Sequence, residues 1–374
     1  MLKRYVGTYF LLLCFPFPLT LIPYIGNYLD EHYSDLWISI FHALNDRLWH
    51  FTSRAEVTGS GDALDNYFTF AALALLAIPI ALAWKNFDRA KPWVDAIIKW
   101  FLAFMLFSYG FSKLNQFPSP HILRLYEPVG QTSPMGLLWT FMGASRAYTF
   151  FAGVMEVSAG VLLLIPRVQT LGAALTLGVM GNVFLLNMCY DVPVKLFSFQ
   201  LVLFALWTLA TDGERVVNFV KGHAVAALKM ERPWFKAQLA ATALMATVIV
   251  TNYFRYGDIK NDTPYQGTWD VETPGHWQRM VFYRKAIMML QNKNGGLDRF
   301  LVTPKEPKGT YDIQYGVDKP STIKFETVDA THLKITGDIK GEPVELTLAK
   351  EPGDVKFPLM TRGFHWVNET PYSN

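Results

Sequence analysis

The chain is poor in charge. Asp, Glu, Lys and Arg make up 17% of its 374 residues, and the net charge is only +3. Its basic residues form no long run, so the electrostatic footprint expected of a nucleic-acid partner is missing. Cysteine is almost absent as well. Cys14 lies inside an apolar stretch and Cys189 ends another, which excludes a disulfide framework and a thiolate metal site. The chain has no CxxC, no HExxH, no P-loop and no GxGxxG opening a helix after a strand. Flavin, haem and iron–sulfur signatures are also missing. The expectation is therefore no metal and no covalently held cofactor.

What remains is apolar: 51% of the residues are hydrophobic and 15% aromatic, with a positive mean hydropathy. That balance belongs to membrane proteins. Seven segments are long enough for a hydrocarbon core, which takes about 20 residues: 6–25, 66–84, 93–112, 148–165, 168–187, 193–211 and 237–254. The first follows Lys3 and Arg4 and contains Pro16, Pro18 and Pro23. It has no small-residue cleavage site, so it reads as an uncleaved, kinked span rather than a signal peptide.

Loop charge orients these spans. With the N-terminus inside, the inner segments hold Lys3, Arg4, Lys85, Arg89, Lys91, Arg167, Arg215, Lys221, Lys229, Arg232 and Lys236. The longer outer loops hold only Arg47, Arg54, Lys113, Arg124, Arg146 and Lys195. Positive charge is thus concentrated inside, which sends the C-terminal region outward. In the first outer loop, LWISIFHALNDRLWHF (36–51) reads as an amphipathic helix at the interface, whose His42, Asp46, Arg47 and His50 fall at helical spacings and read either as a solvated face or as a polar site. In GSGDALDNYF (59–68), Asp62 reads as the N-cap of the following helix, with Asp65 in its first turn.

The residue that stands out is Glu156, inside FAGVMEVSAGVLLLIPR (151–167). An unpaired carboxylate there costs roughly 2.5 to 3.5 kcal/mol on insertion scales. Measured from the outer surface at about 1.5 Å per residue, Glu156 lies about 12 Å down, Asn182 about 9 Å and Gln200 about 10 Å. Agreement in depth predicts that these groups meet. Gly153, Glu156 and Gly160 share one helix face, and Ala174, Gly178 and Asn182 share another, which would allow close approach. Above them, Ser108, Tyr109 and Lys113 end one span, and NMCYDVPVK supplies Asn187, Tyr190, Asp191 and Lys195 to a polar rim. Lys113 is placed about 12 Å above Glu156, beyond its own reach of about 6 Å, so its expected partner is Asp191.

After Phe254 the composition changes. STIKFETVDATHLKITGDIKGEPVELTLAK (321–350) alternates apolar and polar residues in three short runs separated by turns, as in an antiparallel meander. Gly267-Thr268-Trp269 resembles the opening of lipocalin-like barrels, and Trp269 is expected to be buried at one barrel end. His365 and Trp366 lie in a predicted last strand, with His365 read as a packed or capping residue. The expected architecture is an α-helical membrane bundle of about seven spans followed by a C-terminal antiparallel β-barrel or β-sandwich. Its parts are 1–92, 93–211, 212–254 and 255–374.

GFSKL (110–114), MEVSAGVLLLIPR (155–167) and GVMGNVFLLNMCYDVPVKL (178–196) resemble the DoxX family of bacterial membrane proteins. The resemblance covers about residues 93–211, the family's four-helix core. Gly110 and Lys113 match the Gly-x-x-Lys that closes its first helix; Glu156, Gly160 and Arg167 match its following helix and basic turn. Three extra spans and the outward tail depart from a minimal member. The resemblance implies a bacterial cytoplasmic membrane, with the β domain in the periplasm. One branch of the family supplies a membrane subunit of a thiosulfate:quinone oxidoreductase.

These readings converge on a quinone-linked redox role, with Glu156 exchanging protons and quinone as the candidate ligand. Tyr109, Lys113, Asn182, Asn187, Tyr190, Asp191, Lys195 and Gln200 form the expected binding set. Electrons would come from substrate or from a periplasmic or membrane redox partner. The rival reading is a non-enzymatic platform whose β domain binds a lipid, peptide or protein. Spans without an internal repeat argue against a transporter.

Overall fold

The computed structural model describes residues 1–22, 24–51, 60–116, 122–225, 247, 265–283, 287–315, 320–351 and 357–361. Contacts divide the chain into two compact units. One is Met1–Pro118 with Ala147–Gly257, and the other is Ser119–Arg146 with Asp258–Asn374. The boundaries at 93–211 and 255–374 did not anticipate this division, because residues 119–146 pack with the tail rather than with the helices that flank them.

The helical unit holds α1 (Leu2–Cys14), α2 (Ile25–Leu44), α3 (Leu64–Ala83) and α4 (Phe87–Gln116). After the inserted segment come α7 (Arg146–Leu164), α8 (Gln169–Cys189), α9 (Lys195–Thr211) and α10 (Gly213–Val220). Among the described residues, five stretches are long and apolar enough to cross a membrane: Leu2–Leu21, Leu64–Ala83, Phe87–Lys113, Arg146–Leu164 and Gln169–Cys189. α9 with α10 makes a sixth if that bent pair is counted as one. This is a membrane protein. The expected span at 237–254, apart from Thr247, lies outside the described residues.

Three local expectations change. The first span, Leu2–Leu21, keeps Pro16 and Pro18 but is broken there rather than kinked: helix α1 ends at Cys14, and one 3-10 turn, Leu19–Leu21, follows. A proline ring removes a helical donor and clashes with the preceding turn, so the helix stops there. The interfacial helix begins earlier than residue 36, at Ile25, and closes in a π turn over Asn45–Trp49. Asn45 locks that turn, bonding the Phe51 N–H and carbonyl at 2.9 and 3.0 Å. Asp46, Arg47 and His50 are exposed, as the solvated reading requires.

Phe10, Phe101, Leu102, Leu106, Leu163, Leu201 and Phe204 form the buried centre of the bundle. Phe10 meets Phe204 edge-on at 4.9 Å. Lipid tails are as apolar as these side chains, so contact and shape hold the helices together rather than escape from water.

The second unit is a closed barrel of eight antiparallel strands, each paired with its neighbour in sequence. They are β1 (Gly267–Val271), β2 (Trp277–Tyr283), β3 (Ile287–Asn292), β4 (Leu297–Lys305), β5 (Thr310–Tyr315), β6 (Ser321–Thr327), β7 (His332–Ile339) and β8 (Glu342–Lys350). Closure comes from β1 against β8, with Val271 opposite Leu348. Alternate residues point inward. Met280 faces Leu290, Phe282 faces Met288 and Phe325 faces Ile335. Every strand contributes to this core, so the barrel is filled with side chains. Burying one such Leu or Phe from water contributes about 1.5–3 kcal/mol. Gly337, at φ +144, passes so close to the Thr322 carbonyl that no Cβ fits. Trp269 is buried, its Nε1–H donating to the Tyr265 carbonyl at 3.0 Å. His365 and Trp366 lie outside the described residues.

Residues 122–146 form α5 (Ile122–Tyr126), a 3-10 turn at Val129–Gln131 and α6 (Pro134–Ala144). Ser133 caps α6 by accepting the Gly136 N–H at 3.1 Å. This strap is bolted to the barrel wall. Arg279 of β2 lies 3.8 Å over the Tyr126 ring, and Gln291 of β3 donates to the Tyr126 carbonyl at 3.2 Å. The Tyr126 hydroxyl donates to Glu351 just past β8.

Candidate functional site

α4 and α7 run antiparallel and touch backbone to backbone. A Cβ on Gly153 would lie 2.7 Å from the Gly110 carbonyl oxygen, and one on Gly110 would lie 2.8 Å from the Gly153 carbonyl oxygen. Gly160 similarly admits Phe107 of α4. At this crossing Lys113 lies against Gly153, its Cβ 3.7 Å from the position a Gly153 Cβ would take. Its Nζ then meets Glu156 Oε1 at 2.9 Å. Lys113 is 9% and Glu156 1% exposed, so the ion pair is buried.

This corrects the expectation that Lys113 could not reach Glu156 and would pair with Asp191. The axial estimate counted the lysine's length but neither the glutamate's own reach nor the close crossing that only two facing glycines permit. Asp191 is taken instead by Lys195, at 2.7 Å. Lys195 also lies 3.4 Å from Asp62. Asp62 does not cap its own helix: α3 has no side-chain cap. Its carboxylate accepts the Lys195 and Leu196 backbone N–H groups at 3.0 and 2.9 Å, capping α9.

The expected set is only partly gathered. Tyr109, one turn before Lys113, is half-buried and has its ring 6.2 Å from that of Phe197. Gln200 is buried in α9. Asn187 is buried too, but its amide is used on Ser198 at 3.0 Å. Tyr190 is half-buried at the end of α8. Asn182 is exposed with Ala174 and Gly178, so the expected glycine face of α8 is its outer face. Thr176, Met180 and Asn187 turn inward in its place. A lipid-facing surface can be as small and apolar as a packed one, so the spacing alone did not tell them apart.

Glu156 keeps one oxygen in reserve. Its Oε2 is buried and accepts no hydrogen bond among the described residues. Toward the start of α4, Leu102, Ala103, Leu106 and Phe107, with Leu163 of α7 and Leu201 of α9, belong to the buried apolar core. The pair therefore borders a buried apolar core. Its lysine offers further N–H donors and its carboxylate a free acceptor, an arrangement able to bond a polar ligand and pass a proton.

A second polar cluster, near the other end of α4, was not anticipated. Lys99 donates to Gln169 at 3.1 Å, and Gln169 donates to both Asp212 oxygens at 3.2 and 3.1 Å. Thr170 donates to Asp212 at 2.6 Å and accepts from Arg215 at 3.0 Å. Asp95 binds Lys91 at 2.5 Å and the Trp207 indole at 3.0 Å. Lys99 is 14 residues before Lys113, about 21 Å along the helix. The i,i+4 spacings of Lys91, Asp95 and Lys99 were local signals of it.

Comparison with known proteins gives one relative and little function. The chain is 33% identical over 132 residues to the uncharacterized protein YwoB of Bacillus subtilis (strain 168), a match covering 34% of this chain and 82% of that protein. The chain belongs to the family that includes YwoB. No protein-family profile matches it, and no solved structure does.

Proposed function

We propose that this protein is a DoxX-type protein of the bacterial cytoplasmic membrane with a quinone-linked redox role, its β-barrel unit in the periplasm. The carrying observation is the buried Lys113–Glu156 pair with its spare acceptor, Oε2. A buried ion pair is a poor way to gain stability, because desolvation offsets much of its attraction and apolar substitutes often do as well. Intramembrane ionisable groups more often serve a ligand or a proton. A quinone ring suits an apolar bundle with few polar groups. Lys113 donates to a quinone oxygen, Tyr109 lines the approach, and Glu156 takes or gives the proton as the ring changes redox state. Electrons come from substrate or from a redox partner protein. Mass spectrometry of the purified protein tests the reading. Quinone should copurify with the wild type and be retained less by Glu156→Gln; equal retention removes Glu156 from the role.

The platform reading has one observation in its favour. The strap between α4 and α7 is built into the barrel unit through Tyr126, which gives that unit a composite outer wall. Since apolar side chains fill the barrel, a partner would bind its outside. Capture of a periplasmic partner that is insensitive to Glu156→Gln would favour it.

A further inference from the structure

α9 and α10 meet at a bend of 76°. The corner is held by the cluster around Asp212: Thr170 and Gln169 of α8 donate to its carboxylate, and Arg215 of α10 bonds Thr170 at 3.0 Å and lies 3.5 Å from Asp212. With α9 taken as the crossing element, an element fixed at that angle runs close to the membrane plane, since crossing helices tilt only about 20° on average.

The sequence GERVVNFV distributes its residues accordingly. At 3.6 residues per turn, Val216, Val217, Phe219 and Val220 occupy one arc, and Glu214, Arg215 and Asn218 the opposite one. Arg215 points into the corner. The apolar arc points away from it: Val217 is 49% exposed, Phe219 76% and Val220 79%. Lys221 and His223 follow, both exposed. Arg215 is held in the corner, so Lys221 is the cation beside the apolar arc among the described residues, placed to meet an anionic surface.

We propose that α10 is a membrane-surface helix. It lays Val217, Phe219 and Val220 into the boundary between headgroups and acyl chains of the bilayer that its own bundle spans, with Lys221 against anionic lipid phosphates. The Asp212 corner sets its angle, so α10 acts as a fixed outrigger on that leaflet.

Site-directed spin labelling of the full chain tests this. Single cysteines at Phe219, Val220 and Glu214 are placed in a Cys14→Ala, Cys189→Ser background and reconstituted into vesicles of neutral and anionic phospholipid. Labels at 219 and 220 should show a ratio of oxygen to nickel-chelate accessibility several-fold above that at 214. Equal ratios would mean water on both faces and overturn the proposal. Spin–spin broadening that disappears on dilution with unlabelled protein would place a second copy on this face, and shielding from both reagents would place another part of the chain there; either overturns it. Removing the anionic lipid, or Lys221→Gln, should lower the ratio at 219. An unchanged ratio in both would overturn the headgroup contact.

Discussion

Lys113 and Glu156 meet at 2.9 Å only because the backbones of their helices touch at Gly110 and Gly153. The pair is consequently coupled both electrostatically and through packing. Removing one member strands a buried charge, at about 3–5 kcal/mol. Lys113→Met and Glu156→Leu should each destabilise the detergent-solubilised protein by that order, while the double variant recovers most of the loss. Additive losses in thermal unfolding would show that the two residues do not depend on one another.

The glycines make a sharper contrast. A Cβ on Gly110 or Gly153 would overlap the opposing helix. Gly110→Ala and Gly153→Ala should each cost about 1–3 kcal/mol, as overpacked cores do. Gly178 and Gly181 have nothing within 4 Å of an added Cβ. There alanine should be neutral or gain up to about 1 kcal/mol from helix propensity. The reverse ranking of melting temperatures would contradict the helix faces described.

Asp62 offers a test that reads one helix against another. Asp62→Ala should cost about 0.5–2 kcal/mol. Amide exchange should speed up in the first turn of α9, at Lys195 and Leu196, and not at the start of α3. Faster exchange confined to α3 would return Asp62 to capping its own helix.

The strap on the barrel should respond to alkali. Burial first, and then Glu351 beside it, push the Tyr126 phenol well above its ordinary value. A group whose pKa is raised on folding contributes stability that is complete below the unfolded value, about 10 for tyrosine, and is lost as pH rises toward the folded one. Wild-type protein should therefore lose more stability than Tyr126→Phe above about pH 10. The two should run parallel below it. Parallel curves throughout would mean that the hydroxyl contributes nothing.

Much of this was legible in the chain. Glu156 stood out as a carboxylate in the middle of an apolar run, and Gly153 and Gly160 marked its packed face. Two-residue alternation announced the barrel, because one side of each strand had to be apolar. The rest depended on pairings between residues far apart in sequence. Asp62 caps a helix more than a hundred residues away, as its bond to Lys195 shows, and nothing local distinguishes that from capping its neighbour. Asp212 looked like the end of a span until Gln169, Thr170 and Lys99 closed around it. The outer face of α8 imitated a contact face, because in lipid both are apolar. The strap's allegiance to the barrel lay in Tyr126 and Arg279, two residues with no pattern in common.

The central claim is that Glu156 exchanges a proton with a bound quinone, and redox-induced infrared difference spectroscopy addresses it directly. On reduction of quinone bound to the reconstituted protein, a protonated-carboxyl band should change, shift in heavy water and vanish in Glu156→Gln. A spectrum without such a band, or one in which it survives the substitution, would contradict the account.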